Sequence, residues 1–266
     1  MSKNIIGRLS AGIVLAVSST TLVADIWEPG VGIQLNYTPL HDVEGDSGNE
    51  MDGSLFGAGF RYANASEIPV TLGLSYQMGS SDHVGSPDYS SAEADSTIFV
   101  LDVAVGKTFF PGDNIELIPY IGMGFRQMEQ DFTAKSFPED NDIATTSRTQ
   151  RHMYLPLGLY LGSASALDKF DFYVFTEYRH ILMGETKLEK SQNITMNSQD
   201  GRGFRAEAGM HFPGFTSSNI FAGVYYEQWN IDPSDRGVST SAGTPKVERD
   251  TGTKQISSGI TIGFQF

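Results

Sequence analysis

Four arginines and four carboxylates fall on what strand alternation would make one shared face: Arg61, Asp102, Arg126, Glu177, Arg179, Arg205, Glu207 and Glu227. Equal numbers of both signs suit mutual ion pairing, whereas a ring of one sign would filter ions. In a poorly hydrated space each such charge must be paired or costs several kcal/mol. Chemistry on a substrate is less well supplied. Histidines at 41, 83, 152, 180 and 211 are candidate general bases, with Asp82, Glu129 and Asp131 as carboxylates and serine in abundance. No spacing singles out a dyad or triad, so no catalytic residue is assigned. Asp42-Val-Glu44-Gly-Asp46 begins like a calcium loop but lacks the remaining ligands and the terminal glutamate. No metal and no cofactor is assigned, and a chain without cysteine has neither thiol chemistry nor disulfides.

The elements that must carry the eight charges are strands. Alternation of period two predicts ten, near 30–39, 53–63, 68–79, 96–110, 115–130, 147–163, 168–186, 201–213, 218–231 and 251–266. One hairpin split or fused would give eight or twelve. In each strand an oily column alternates with a polar one. Ile33, Leu35 and Tyr37 oppose Gln34 and Asn36; Leu157 and Leu159 oppose Gly158 and Tyr160; Phe204 and Met210 oppose Arg205 and His211. Glycines 57, 59, 73, 122, 124, 158, 209, 223 and 263 share the polar face and leave room there for long side chains.

Connections alternate in length. Asn64–Glu67, Pro111–Asn114, Ser163–Asp168 and Pro213–Ser218 are tight and rich in turn residues. Those near 40–52, 80–95, 131–146, 187–200 and 232–250 are long, and the first three are acidic. Short turns on one rim and long loops on the other, with oily columns outward, predict an all-β, transmembrane, antiparallel up-and-down barrel. Gln127–Gln130, Arg148–Arg151 and Glu185–Lys187 would stand above the lipid as a polar collar. Phe109, Phe110, Tyr120, Phe170, Tyr226 and Trp229 are candidates for interfacial girdles. At about ten strands the bore would be filled by side chains rather than open.

At the start, Lys3 and Arg8 precede a short apolar run, Leu9–Val17, and small residues lead to Ala24. This reads as an export signal over 1–24, with a barrel domain over 25–266. Removing Lys3 and Arg8 takes the formal charge from −14 to −16, which argues against nucleic acid or an anionic bilayer surface as a partner held by general charge attraction. The final strand presents Ile260, Ile262, Phe264 and Phe266 in one column.

That column resembles the C-terminal signature by which the barrel-assembly machinery of bacteria recognises outer-membrane proteins. The phrase Pro119-Tyr120-Ile121-Gly122-Met123-Gly124 is similar to one found in small opacity- and porin-like outer-membrane barrels. The resemblance implies residence in the bacterial outer membrane, with lipid and lipopolysaccharide as neighbours. The function expected is envelope structure or surface interaction through acidic loops around a plugged lumen, with an extracellular ligand left open. A narrow porin-like channel is the alternative. Omptin proteases, also ten-stranded, activate water with an Asp pair and an Asp–His pair near the outer rim. Asp82-His83, Glu129, Asp131, His152 and His180 do not reproduce that spacing, and a lipid-modifying site has no marker residue either.

Overall fold

A computed structural model describes residues 30–44, 49–64, 66–84, 92–112, 114–134, 146–163, 171–189, 194–198, 200–213, 219–235, 237–239, 246–248 and 252–266. The expected export signal lies outside the described residues. Among the described residues fourteen strands follow one another: β1 (Gly30–Glu44), β2 (Asn49–Ala63), β3 (Val70–Val84), β4 (Ala92–Gly106), β5 (Phe109–Gly112), β6 (Ile115–Ala134) and β7 (Thr146–Ser163). Then come β8 (Asp171–Glu189), β9 (Ile194–Ser198), β10 (Gly201–Pro213), β11 (Asn219–Ile231), β12 (Gly237–Ser239), β13 (Lys246–Glu248) and β14 (Thr253–Gln265).

Ten of them close an antiparallel barrel in the cyclic order β1-β2-β3-β4-β6-β7-β8-β10-β11-β14. The short β5 pairs with the foot of β6, β9 with the top of β8, and β12 with β13. Closure leaves none of the ten barrel strands at an edge, as a backbone surrounded by hydrocarbon requires. At the seam, Val31 and Phe266 exchange two backbone hydrogen bonds, of 3.1 and 2.9 Å.

The stagger of the closed sheet can be followed through paired neighbours. Starting at Ile121, the path runs through Leu157, Tyr178, Phe204, Gln228, Ile256, His41, Asp52, Asp82 and Glu93, and regains β6 at Thr133. A shear of 12 residues over ten strands tilts them by roughly 40° from the barrel axis.

The oily columns face outward. Ile33, Leu35, Leu72, Val103, Ile121, Leu157, Phe204, Val224, Ile262 and Phe264 are all exposed on the wall, Leu35 at 66 %. Gln34, Asn36, Tyr154, Tyr160, Glu207, His211, Gln255 and Thr261 point into the bore and are buried. Each expected strand is present, but several run further than expected at the long-loop end. β1 continues to Glu44 and β2 begins at Asn49, so most of the expected 40–52 loop is strand. There the rule of oily-outside reverses: Leu40, Met51, Leu55, Ala94, Ile98 and Met128 turn inward and pack together. Above the lipid, water wets the outer wall and the bore becomes the place to hide apolar surface. Asp42, expected in an acidic loop, is likewise an inward residue that accepts a hydrogen bond from Gln255 at 3.2 Å.

The collar divides by the same alternation. Gln127, Glu129, Arg151 and Glu185 link on the outer wall, with Arg151 donating to Gln127 at 2.9 Å and facing Glu185 at 3.5 Å. Gln130, Arg148 and Gln150 point inward. Phe109, Phe110 and Tyr226 are exposed on the wall, whereas Tyr120 and Trp229 belong to the bore and to no girdle. Phe170 lies outside the described residues.

Inward aromatic rings sit over glycines directly opposite on the neighbouring strand. Tyr154 faces Gly124, Tyr120 faces Gly158, Tyr173 faces Gly209, Trp229 faces Gly203, Tyr225 faces Gly259 and Phe221 faces Gly263. A Cβ on Gly158 would fall 2.1 Å from the Tyr120 ring, and one on Gly124 would fall 2.2 Å from that of Tyr154. Only a bare backbone lets these rings lie flat against the wall. Gly158→Ala is therefore expected to destabilise the folded barrel by about 1–3 kcal/mol, the usual cost of overpacking. Urea titration of the refolded protein measures it, and an unchanged midpoint would show that Tyr120 is not seated there.

Candidate functional site

Register and alternation together assemble the centre of the bore. Arg205 on β10 is paired with Glu177 on β8 and with Glu227 on β11, so three charges stand in one row. Arg179, Glu207 and Trp229 each lie two residues from a member of that row and so share its inward face.

The groups join in a continuous chain. Tyr120 Oη donates to Glu177 Oε2 at 3.0 Å, and Arg179 Nε donates to Glu177 Oε1 at 2.5 Å. Arg179 Nη1 and Arg205 Nη1 both donate to Glu227 Oε2, at 3.0 and 3.3 Å. Arg205 Nη2 donates to Glu207 Oε2 at 2.8 Å, and Tyr173 Oη closes the chain on Glu207 Oε1 at 2.9 Å. The indole of Trp229 donates to Glu227 Oε1 at 2.6 Å. In all three glutamates the two oxygens are held by different donors, which is what makes a desolvated carboxylate tolerable.

The guanidinium faces are used as well as their edges. Arg179 lies over Tyr154 at 5.1 Å and over Trp229 at 5.0 Å; Arg205 lies over Tyr225 at 4.8 Å and Phe175 at 5.6 Å. Cation–π contact of this kind strengthens where water is excluded.

The other three charges of the eight have different company. Asp102 accepts from Tyr154 Oη. Arg126, only 2 % exposed, donates to Gln255 at 2.7 Å and lies 5.3 Å from the Trp229 ring centre. Arg61 lines the bore nearer the short turns and makes no ion pair among the described residues.

Below this layer Ile118, Tyr160, Tyr173 and Phe175 cluster with Ala104, and above it Tyr154, Ile181, Trp229 and Ile231 pack together. On the opposite side β1–β4 contribute uncharged polar side chains and a glycine, among them Asn36, Thr38, Gly73, Ser75 and Gln77, together with the charges Arg61 and Asp102 and the apolar Leu40 and Ile98. A cavity of about 60 Å³ remains between the two halves, with Arg61, Asp102, Arg126, Arg179, Arg205 and Glu227 on its wall. It is polar and has room for a few waters.

The residues weighed for hydrolytic chemistry do not converge. His152 is buried inside β7, His180 is exposed on the outer wall of β8, and Asp82, Glu129 and Asp131 face outward on other strands. His211 stacks on Tyr173 at 4.9 Å near the short-turn rim, and His41 pairs with Asp52 at 2.6 Å on the outside. The side chain of His83 lies outside the described residues.

Sequence reasoning did not mark Tyr120, Tyr173, Trp229 and Gln255 as parts of the site. Their signal was position on an inward column: Tyr120, Tyr173 and Trp229 lie opposite glycines, and Gln255 lies between Asp42 and Trp229 on the neighbouring strands.

The profile of the autotransporter beta-domain family matches residues 6–227. No curated protein matches by sequence. Among solved structures, the outer membrane protease OmpT from Escherichia coli aligns with a TM-score of 0.57 at 9 % identity, over 89 % of this chain and 96 % of that one. The transport unit of the autotransporter AIDA-I from Escherichia coli gives 0.48 at 9 % identity, over 90 % of each chain. Ail, the attachment invasion locus protein of Yersinia pestis, gives 0.30 at 14 % identity, over 90 % of this chain and 100 % of that one. At such identity the likeness to OmpT shows the fold alone, that of an outer-membrane barrel.

The ion-pair chain makes a stability prediction that separates its members from Arg61. Arg205→Ala leaves Glu207 without its cation and removes one of the two guanidinium groups on Glu227, and is expected to cost about 3–5 kcal/mol. Arg61→Ala is expected to cost no more than about 1 kcal/mol, as for a charge with little to lose. Urea unfolding of both variants in the same detergent makes the comparison, and equal losses would refute the geometry described.

Proposed function

The chain belongs to the autotransporter β-domain family, and we propose that its barrel is occluded and serves envelope structure and surface interaction rather than passage through the bore. One observation carries this reading: the bonded chain from Tyr120 through Glu177, Arg179, Glu227, Arg205 and Glu207 to Tyr173, which spans β6, β8, β10 and β11. Anything crossing the bore at this level displaces buried, paired charges, and each unpaired ion costs several kcal/mol. The inward cluster of Leu40, Leu55, Ile98 and Met128 adds a packed apolar layer towards the long loops.

The outer surface supports the second half of the proposal. Asp52, Asp82 and Glu93 are direct neighbours across β2, β3 and β4, and Asp95 is opposite Asp131 across β4 and β6. All are exposed. Like charges set opposite one another destabilise a sheet, so a wall built this way suits contact with a cationic partner surface. The column Ile260, Ile262, Phe264 and Phe266 stands outward beside the seam, and we assign it to recognition by the barrel-assembly machinery.

The cavity beside Arg61 favours a second reading, a narrow passive channel on the β1–β4 side. Planar-bilayer recording on the refolded full chain separates the two. An occluded barrel gives no stepwise conductance, and stable unitary steps from the wild type would overturn the proposal in favour of the channel.

A further inference from the structure

We propose that the outer wall across β8, β10, β11 and β14 carries a binding site for the phosphate of a lipopolysaccharide headgroup. In this acidic chain, His180, Arg202, Asn230 and Lys254 form one outward row. Arg202 is paired with His180 and with Asn230, and Asn230 with Lys254. His180, Arg202 and Lys254 are exposed.

The row stands where an outer-leaflet headgroup would meet the protein. Reading up β10, the outward column runs Phe212, Met210, Ala208, Ala206, Phe204 and then Arg202. On β11 it runs Val224, Tyr226, Gln228 and Asn230, and on β14 Phe264, Ile262, Ile260, Ser258, Ile256 and Lys254. On β10, β11 and β14 the column thus ends its apolar run on a basic or amide side chain at the long-loop end, whereas on β8 Leu182 and Met183 continue it past His180, so Arg202, Asn230 and Lys254 are the members at the boundary. The row immediately beneath holds Tyr178, Phe204, Gln228 and Ile256, which are mostly surfaces for acyl chains.

The groups are also available. Neither Arg202 nor Lys254 forms an ion pair among the described residues, although Asp200 and Asp232 stand just above them. Tyr226 Oη donates to Gln228 at 2.8 Å, and Gln228 Nε2 donates to Asn230 Oδ1 at 3.1 Å. That relay occupies the Asn230 oxygen and leaves its two N–H groups for an acceptor between the two cations. Two long cations flanking an amide donor at a membrane boundary match an anionic phosphate by charge and by hydrogen bonding. The outward cations elsewhere differ: Arg151 is already engaged by Gln127 and Glu185.

This site is independent of whether the bore conducts. The test uses the folded full chain in zwitterionic detergent, with native mass spectrometry reading the lipid retained. The probes are lipid A with its phosphates, dephosphorylated lipid A and phosphatidylglycerol. Wild type is expected to retain phosphorylated lipid A at least tenfold better than the other two. Arg202→Gln and Lys254→Gln are each expected to weaken retention about fivefold, and the pair roughly 20-fold. Arg202→Lys should keep most of it, and Arg151→Gln should change nothing. Undiminished retention in the double variant overturns the site, as does equal retention of dephosphorylated lipid A. Equal retention of phosphatidylglycerol overturns it in favour of general attraction to anionic lipid.

Discussion

Glu227 receives two guanidinium groups on one carboxylate oxygen and an indole N–H on the other, and the interior of the barrel is arranged around that junction. The reason is dielectric. A ten-stranded bore is too narrow to hydrate eight charged side chains fully, so Glu177, Arg179, Arg205, Glu207 and Glu227 neutralise and hydrogen-bond one another, while Arg61 is left on the wall of the small polar cavity. Arg179 and Arg205 each bridge Glu227 to a further glutamate, and tyrosines finish the ends of the chain. Remove the central carboxylate and two buried cations lose a shared partner at once. The glycines opposite Tyr120, Tyr173 and Trp229 belong to the same constraint, because those donors reach the carboxylates only by lying flat against the wall.

The wall obeys a different constraint along its height. Where it meets hydrocarbon the apolar column must face outward, and where it rises into water the preference inverts. β1 shows the switch in a single strand: Ile33, Leu35 and Tyr37 are outward, then Leu40 and Asp42 turn inward. The pleat continues unbroken, since backbone pairing is indifferent to which environment lies on either side. The result is a barrel that projects past the lipid with a small dry core inside its upper end and charged ladders outside.

Those ladders are not uniform around the circumference. The acidic neighbours Asp52, Asp82 and Glu93 lie on β2–β4, while the row with Arg202 and Lys254 lies on β10–β14. A single net charge of −14 therefore conceals a surface with two distinct faces. Such a division suits a protein held by anionic headgroups on one side and open to a cationic surface on the other.

The strand number, the alternation and the outward columns ending in Phe264 and Phe266 were readable from the residues themselves, because period two is a local property and the oily face has one place to go. The same alternation put Arg61, Asp102, Arg126, Glu177, Arg179, Arg205, Glu207 and Glu227 on one face. It could not say which of them touch. That depends on a stagger of 12 residues accumulated round a closed sheet, which brings Glu177, Arg205 and Glu227 into one row and leaves Arg61 apart. Nor could it end the strands correctly, because Leu40, Met51 and Met128 look like a broken pattern until they are seen to pack together inside the bore. Pattern along a strand is fixed by neighbours in the chain, whereas contact across a barrel is fixed by the register of paired strands and by the closure that brings distant strands face to face.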